Sequence, residues 1–292
     1  MPDNPPTRCG HVALAGLPNA GKSSLLNALV GEHLAIVSPK AQATRLPVIG
    51  LRTEDGAQFI FHDLPGLLEP RYLMQEHMRA AAVAEVRRAD IVLHLHPAPD
   101  APAPDLQAVS GMERPLQAPV LTVYTKSDIA PDIPSSLLAD GIAVSAVTRS
   151  GLDQLLDRVR EKLPFRPFEF DPDDLGTQPL RFFVVEYLRE AAFELLAEEV
   201  PYSFTAEVEE FREHTDPVYI RVHLYVERES QKAILIGRGG RTIKLLGSHA
   251  RSRLEILMGR TIYLDCWVKV LPRWRKDPAA LKRFGFVSEE PA

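Results

Sequence analysis

Gly16-Leu-Pro-Asn-Ala-Gly-Lys-Ser23 is the stretch that decides the fold of the first half of this 292-residue chain. It fits the pattern Gly-x-x-x-x-Gly-Lys-Ser. It also stands where that pattern must, between an apolar run read as a strand (Val12–Ala15) and a stretch read as a helix (Lys22–Val30). The chemistry dictates the residue types. Glycines at 16 and 21 let successive backbone N–H groups curl around phosphates, and the helix N-terminus adds the positive end of a dipole. Pro18, Asn19 and Ala20 form the curve between them, Lys22 reaches the β- and γ-phosphates, the Ser23 hydroxyl suits magnesium, and Ser24 follows on the same turn. A glycine-rich turn with no ligand is the plain alternative.

Downstream residues narrow the ligand. Asp63-Leu-Pro-Gly66 follows a strand at Phe59–His62, where the carboxylate can hold magnesium through water and the Gly66 N–H can sense a γ-phosphate. Thr44, in Lys40-Ala-Gln-Ala-Thr-Arg45, lies in the loop before the second strand. There a threonine completes the metal shell only while the γ-phosphate is present, which makes the loop a switch. Thr125-Lys126-Ser127-Asp128 ends the strand Val120–Tyr124. A carboxylate at 128 can accept from guanine N1–H and the exocyclic amine, and Ser145-Ala146 can offer a backbone N–H to the guanine carbonyl. The order and strand context of these pieces point to GTP and GDP with Mg2+. Leu67 stands where a glutamine would orient the attacking water, so slow intrinsic turnover is expected.

Further apolar runs at Val48–Arg52, Ile91–Leu95 and Ile142–Val144 alternate with helical periods at Met74–Arg88 and Leu152–Lys162. Strand–helix alternation of this kind implies an α/β domain with a mostly parallel sheet covered on both faces. The proline-rich stretch His96–Pro104 reads as a loop, and prolines at 164, 167, 172 and 179 mark a linker. Beyond it, a helical period over 180–195, strands at Ser203–Phe211 and Val218–Val226, a helix at Thr242–Leu257 and a strand at Ile262–Val270 make a small α+β domain. The expected organisation is a nucleotide-binding domain over 8–165, a linker over 166–179 and a second domain over 180–287.

With 45% apolar and 25% charged residues the composition is that of a globular chain, and no run approaches the ~20 apolar residues of a membrane span. Met1-Pro-Asp-Asn-Pro-Pro has neither the basic start nor the apolar core of a secretory signal, and Cys9 and Cys266 sit in no ligand spacing. Both readings favour reduced thiols in the cytoplasm. The net charge of −5 conceals a strong asymmetry: residues 1–175 carry −6, residues 176–227 carry −7 and residues 228–283 carry +10. A block of one sign marks a polyanion-binding surface or a solvated basic face.

Inside the basic block lies Ile234-Leu-Ile-Gly-Arg-Gly-Gly-Arg-Thr-Ile-Lys244. Gly237-Arg238-Gly239-Gly240 between two helical stretches, with Arg241, Lys244 and Arg251 following and Ile236 preceding, is the Gly-x-x-Gly clamp of KH domains, which grips about four unpaired nucleotides. A helix and two strands come before it, the type II order.

The whole pattern resembles the bacterial Era family of translation-factor-like GTPases. The residues that carry the resemblance are Gly16–Ser23, Lys40–Arg45, Val226–Lys232, Ile236–Arg251 and Trp267–Trp274. It implies a P-loop GTPase domain followed by a type II KH domain, GTP hydrolysis with Mg2+, binding near the 3′ end of 16S rRNA, and a role in 30S subunit assembly and rRNA processing. It further implies a monomer in the cytoplasm and peripheral association with the inner membrane, for which the residues show no amphipathic anchor. Asn19 matches the asparagine that helps hold K+ in potassium-dependent relatives; its other reading is a side chain that shapes the loop. Two positions depart from the family: Thr125 stands where Asn is usual, keeping one hydroxyl to bridge loops, and Leu64 where Thr is usual, read as packing.

Two other functions compete with a GTP-operated RNA-binding switch. One is an RNA-binding assembly scaffold with a structural nucleotide site, which Leu67 keeps open. The other is an ATP-consuming RNA-modifying enzyme, against which Asp128 argues. His94 and His96 alternate on one strand without a third ligand and read as structural. Trp267, mid-strand, reads as core; Trp274 reads equally as core or as a base-stacking ring.

Overall fold

The computed structural model describes residues 7–130 and 132–286. The readings made on residues 1–6 and at the 287 boundary lie outside them. The described residues divide into two compact units, those up to 70 with those from 78 to 177, and 71–77 with those from 178 on.

The first unit is built on a six-stranded sheet of β1 (Arg8–Ala15), β2 (Val48–Glu54), β3 (Ala57–Asp63), β4 (Ile91–Pro97), β5 (Val120–Thr125) and β6 (Gly141–Ala143), in the order β2-β3-β1-β4-β5-β6. Every neighbouring pair is parallel except β2 with β3. Val12, Leu14, Phe59, Phe61, Val92 and Leu93 are fully buried, as strands covered on both faces require. The helix α1 (Lys22–Val30) buries Leu25, Leu26 and Leu29, and α5 (Leu152–Lys162) buries Leu152, Leu155, Leu156 and Val159. Ala82 and Val86 of α2 (Leu73–Arg88) pack with Ala13, Ala15, Val92, Leu64 and Leu67 in one cluster. Leu64 is therefore a packing residue.

Three details of the first unit differ from the sequence reading. The stretch from His96 was read as loop, yet β4 runs on through His96 and Pro97, in register with Tyr124 and Thr125, into a 3-10 turn over Ala98–Asp100. Proline is tolerated there because it closes the strand. Two short helices were not foreseen, α3 (Leu106–Ser110), capped by Asp105 Oδ1 accepting from Ala108 N at 2.8 Å, and α4 (Ser135–Leu138). Third, the stretch read as linker docks on the first unit as far as Gly176. Phe168 and Phe170 pack against Cys9, Leu51 and Ile60, and the buried Gln58 Oε1 accepts from Glu169 N and Phe170 N at 2.8 and 3.0 Å. Leu51 N donates to Leu175 O, and Gly50 forms a bridge with Gly176.

The second unit runs α6 (Leu180–Leu195), α7 (Val200–Ser203), β7 (Thr205–Arg212), β8 (Val218–Val226), α8 (Glu229–Ile236), α9 (Arg241–Met258), β9 (Ile262–Val270) and α10 (Pro278–Arg283). Its sheet has the order β7-β8-β9, antiparallel then parallel. Ile220, Val222 and Leu224 of β8 are fully buried, as are Val184, Leu188, Leu246 and Leu254 of the long helices. The core claims Trp274, whose indole donates to Ser203 O at 2.8 Å. It does not claim Trp267, which is 57% exposed and whose reading as core is corrected: in β9 the odd-numbered residues point away from the helices.

Candidate nucleotide site and nucleic-acid interface

The parallel strands β1, β3 and β5 end on one edge of the sheet, so the loops after them converge. Gly16 has φ +153°, and a Cβ there would lie 2.4 Å from Leu95 O; Gly21, in the left-handed region at φ +86°, opens α1. Glycine is therefore required at both ends of the loop. Between them Asn19 is also left-handed (φ 62°), and its Nδ2 donates to Pro39 O at 3.0 Å. Lys22 is buried beneath the loop, with Nζ donating to Leu17 O at 2.9 Å and Gly16 O at 3.3 Å. Burial pushes its pKa down to about 8 against the opposing pull of Asp63.

Ser23, Thr44 and Asp63 meet. Asp63 Oδ2 accepts from Ser23 Oγ at 2.6 Å and Thr44 Oγ1 at 3.0 Å, and the two hydroxyls are 2.9 Å apart. Three hard oxygens at one point, one of them a fully buried carboxylate, form a donor set that suits Mg2+. Gly66 lies against the phosphate loop: a Cβ on it would stand 2.8 Å from Pro18 N. Leu67 turns its side chain into the core, and its N–H donates to Gly16 O at 3.1 Å. A cavity of about 330 Å3 opens between Asn19, Lys22, Ser23 and the segment 36–44, of which sequence reasoning had picked out only Thr44.

A second cavity of about 250 Å3 shares Gly21, Ser24 and Lys126 with the first and is lined further by Thr125, Asp128 and Ala146. Thr125 Oγ1 donates to Ala20 O at 2.8 Å, so the threonine does bridge the loops as expected. Ser145 Oγ donates to Asp128 Oδ1 at 2.6 Å and fixes the carboxylate. The expectation for Ser145 needs one correction. Its N–H is committed to Ser150 O at 2.9 Å, which leaves Ala146 as the backbone donor of that pair for a base carbonyl.

In the second unit α8 ends at Ile236 and α9 starts at Arg241, with Gly237, Gly239 and Gly240 all at positive φ between them. A Cβ at 237 would lie 2.2 Å from Thr242 Oγ1. Arg238, Arg241, Lys244 and Arg251 are exposed on the turn and along α9, and Ile234 and Leu245 beside them are each at least half exposed. Three other arginines of the basic block are paired with glutamates. Arg253 pairs with Glu190 and Glu194, Arg275 with Glu227, and Arg283 with Glu207. His94 and His96 gather no third ligand: among the described residues no group of three or more His, Cys, Asp or Glu is placed to hold a metal. Burial takes the His94 pKa down to about 4, and His96 Nε2 lies 2.8 Å from Asp100 O.

Residues 11–126 match the family model described as 50S ribosome-binding GTPase, and residues 199–275 match the KH domain model. GTPase Era of Desulfovibrio desulfuricans is 39% identical over 97% of this chain and 98% of its own length. This chain belongs to the Era GTPase family. GTPase Era of Thermotoga maritima is 37% identical over 95% of this chain. A crystal structure of an Aquifex aeolicus Era point variant bound to GDP·AlF4− superposes with a TM-score of 0.89, at 33% identity over 97% of this chain and all of that one. A structure of Era in complex with MgGDPNP and nucleotides 1506–1542 of 16S ribosomal RNA does so at 0.90 and 34%. GTP hydrolysis is the activity that membership of the Era family carries, and the Era pattern of a GTPase domain followed by a KH domain is the fold seen here. Among the described residues no helix is long and apolar enough to cross a membrane.

Proposed function

We propose that the chain is a GTP-operated switch that binds the 3′ region of 16S rRNA and assists assembly of the 30S subunit. The observation that carries this reading is the pairing of two sites in one chain: a guanine-nucleotide site with a metal-sensing loop, and an exposed Gly-x-x-Gly turn flanked by cations.

Asp128, held by Ser145, selects guanine, since adenine would leave a desolvated carboxylate unpaired. Ser23, Thr44 and Asp63 would hold Mg2+, which neutralises charge on the β- and γ-phosphate oxygens. Lys22 adds a cation fixed by burial. Thr44 joins the loop 36–44 to that cluster, so gain and loss of the γ-phosphate change what the loop can hold. Leu67 cannot orient water, which falls to backbone groups near Gly66. Potassium is part of the proposal: with Nδ2 bound to Pro39, Asn19 offers its amide oxygen to a monovalent cation.

On the RNA side, Gly237 and Gly240 let the backbone approach phosphates, and Arg238, Arg241 and Lys244 neutralise them. We place the protein in the cytoplasm as a monomer; peripheral contact with the inner membrane rests on family resemblance alone. Gly237→Asp combined with Gly240→Asp sets carboxylates against the RNA backbone. The double variant should lose RNA binding in a filter or fluorescence assay while GTP affinity stays within twofold. Undiminished RNA binding by that variant would refute the clamp.

A further inference from the structure

The outer face of the second unit's sheet, on the side away from its helices, carries a row of aromatic rings for which the nucleotide site and the Gly-x-x-Gly turn have no use. Parallel pairing sets Tyr219 beside Tyr263, Arg221 beside Asp265 and His223 beside Trp267. The alternate residues Ile220, Val222 and Leu224 are fully buried, so these pairs point outward. Tyr263 and Trp267 are each 57% exposed.

Tyr263 is also held in place. Asp265 Oδ2 accepts from Tyr219 Oη at 2.9 Å and from Arg221 Nε at 3.1 Å. Tyr219 stacks on Tyr263 with centroids 5.8 Å apart and planes 12° from parallel. Tyr219 is fixed through its hydroxyl and orders Tyr263 by stacking, while Trp267 stands exposed on the same face; large rings on the outer face of a sheet do little for packing and present π faces as a stacking surface must. Tyr263 and Trp267 are residues i and i+4 of β9, about 13 Å apart, so they present two separate faces, one for each of two unstacked bases.

The charge of the strand argues for the occupant. β9 lies inside the +10 segment, with exposed Arg260 before it and exposed Lys269 two residues beyond Trp267, and the carboxylates of Glu209, Glu210 and Asp265 on the same face are paired with His223, Arg212 and Arg221. Aromatic faces flanked by cations on a sheet are the chemistry by which single-stranded nucleic acid is held without base-edge readout.

We propose that Tyr263 and Trp267 form a second RNA-contact surface, which stacks unpaired bases flanking the nucleotides held at Gly237–Gly240. This rests on the reading of that turn as an RNA clamp, and the two can be tested apart. The chain has two tryptophans, and Trp274 is fully buried, so RNA-dependent change in tryptophan emission reports Trp267. The probes are an RNA equivalent to nucleotides 1506–1542 of 16S rRNA, the stretch bound by the related Era, and an oligoribonucleotide of about four residues, the length such a clamp grips.

The long RNA should quench Trp267 emission in the full chain and the short one should not. Trp267→Ala should weaken the long RNA about tenfold while leaving the short one within twofold, and Trp267→Phe should restore most of the loss because it keeps a π face. Unchanged emission with the long RNA, or equal affinities for the alanine variant and the parent, would overturn the proposal. An emission change that tracks protein concentration, with sedimentation at twice the monomer mass, would overturn it too, in favour of contact between two copies. None of these outcomes touches the clamp itself, which stands or falls with the Gly237→Asp, Gly240→Asp variant.

Discussion

Lys22 shows how one residue type acquires its function from burial. In water its ammonium would stay charged to beyond pH 10, whereas in the phosphate loop its pKa falls to about 8. The sign follows directly. Below pH 8 the lysine is charged in the free protein and stays charged against phosphates, so affinity is flat; above pH 8 binding must take up a proton. GTP affinity, measured by fluorescent-nucleotide titration, should therefore hold to about pH 7.5 and then fall by up to tenfold per pH unit. A flat profile to pH 9.5 would contradict the assignment. Asp128 gives a second test at this scale. Asp128→Asn reverses the hydrogen-bond polarity presented to the base, so preference should shift from GTP to XTP; unchanged GTP affinity would remove the case for guanine. The residues in these tests were legible in the sequence because the chemistry needs particular types at particular spacings. Others were not. The loss of the Ser145 N–H to Ser150 depends on how the 145–150 turn closes, and the exposure of Trp267 on which face of β9 turns outward.

At the scale of elements, the long buried strands and the periodic helices were readable because each repeats its burial pattern several times. The helices α3 and α4, of five and four residues, complete barely one turn and show no period. The prolines of 164–179 do break regular structure, but they do not stop Phe168 and Phe170 from packing on the first unit. Gln58 anchors that strap: its fully buried amide accepts two backbone N–H groups and donates to Phe170 O at 2.9 Å. Gln58→Ala would leave the Glu169 and Phe170 N–H groups without their acceptor, a cost of about 2–3 kcal/mol. The first unit's urea transition should move to lower denaturant by that amount, and an unmoved midpoint would show the strap to be dispensable.

Across the whole molecule, the charge asymmetry read from the sequence is real but is partly cancelled within the second unit. Glutamates of the acidic stretch 176–227 (Glu190, Glu194, Glu207 and Glu227) neutralise Arg253, Arg275 and Arg283 of the basic block. Counting along the chain cannot reveal such pairing, because it arises only when strands and helices distant in sequence are packed together. What remains exposed around Gly237–Gly240 is a smaller and better-placed cationic surface, joined in one chain to the cluster of Ser23, Thr44 and Asp63, which we propose senses the γ-phosphate. A switch requires both to work together. The most direct measurement is GTP turnover by the full chain in potassium buffer, with and without RNA equivalent to nucleotides 1506–1542 of 16S rRNA. Slow turnover that rises severalfold with the RNA and drops when sodium replaces potassium is the predicted result; negligible turnover under every condition would contradict the switch and favour a scaffold whose nucleotide is structural.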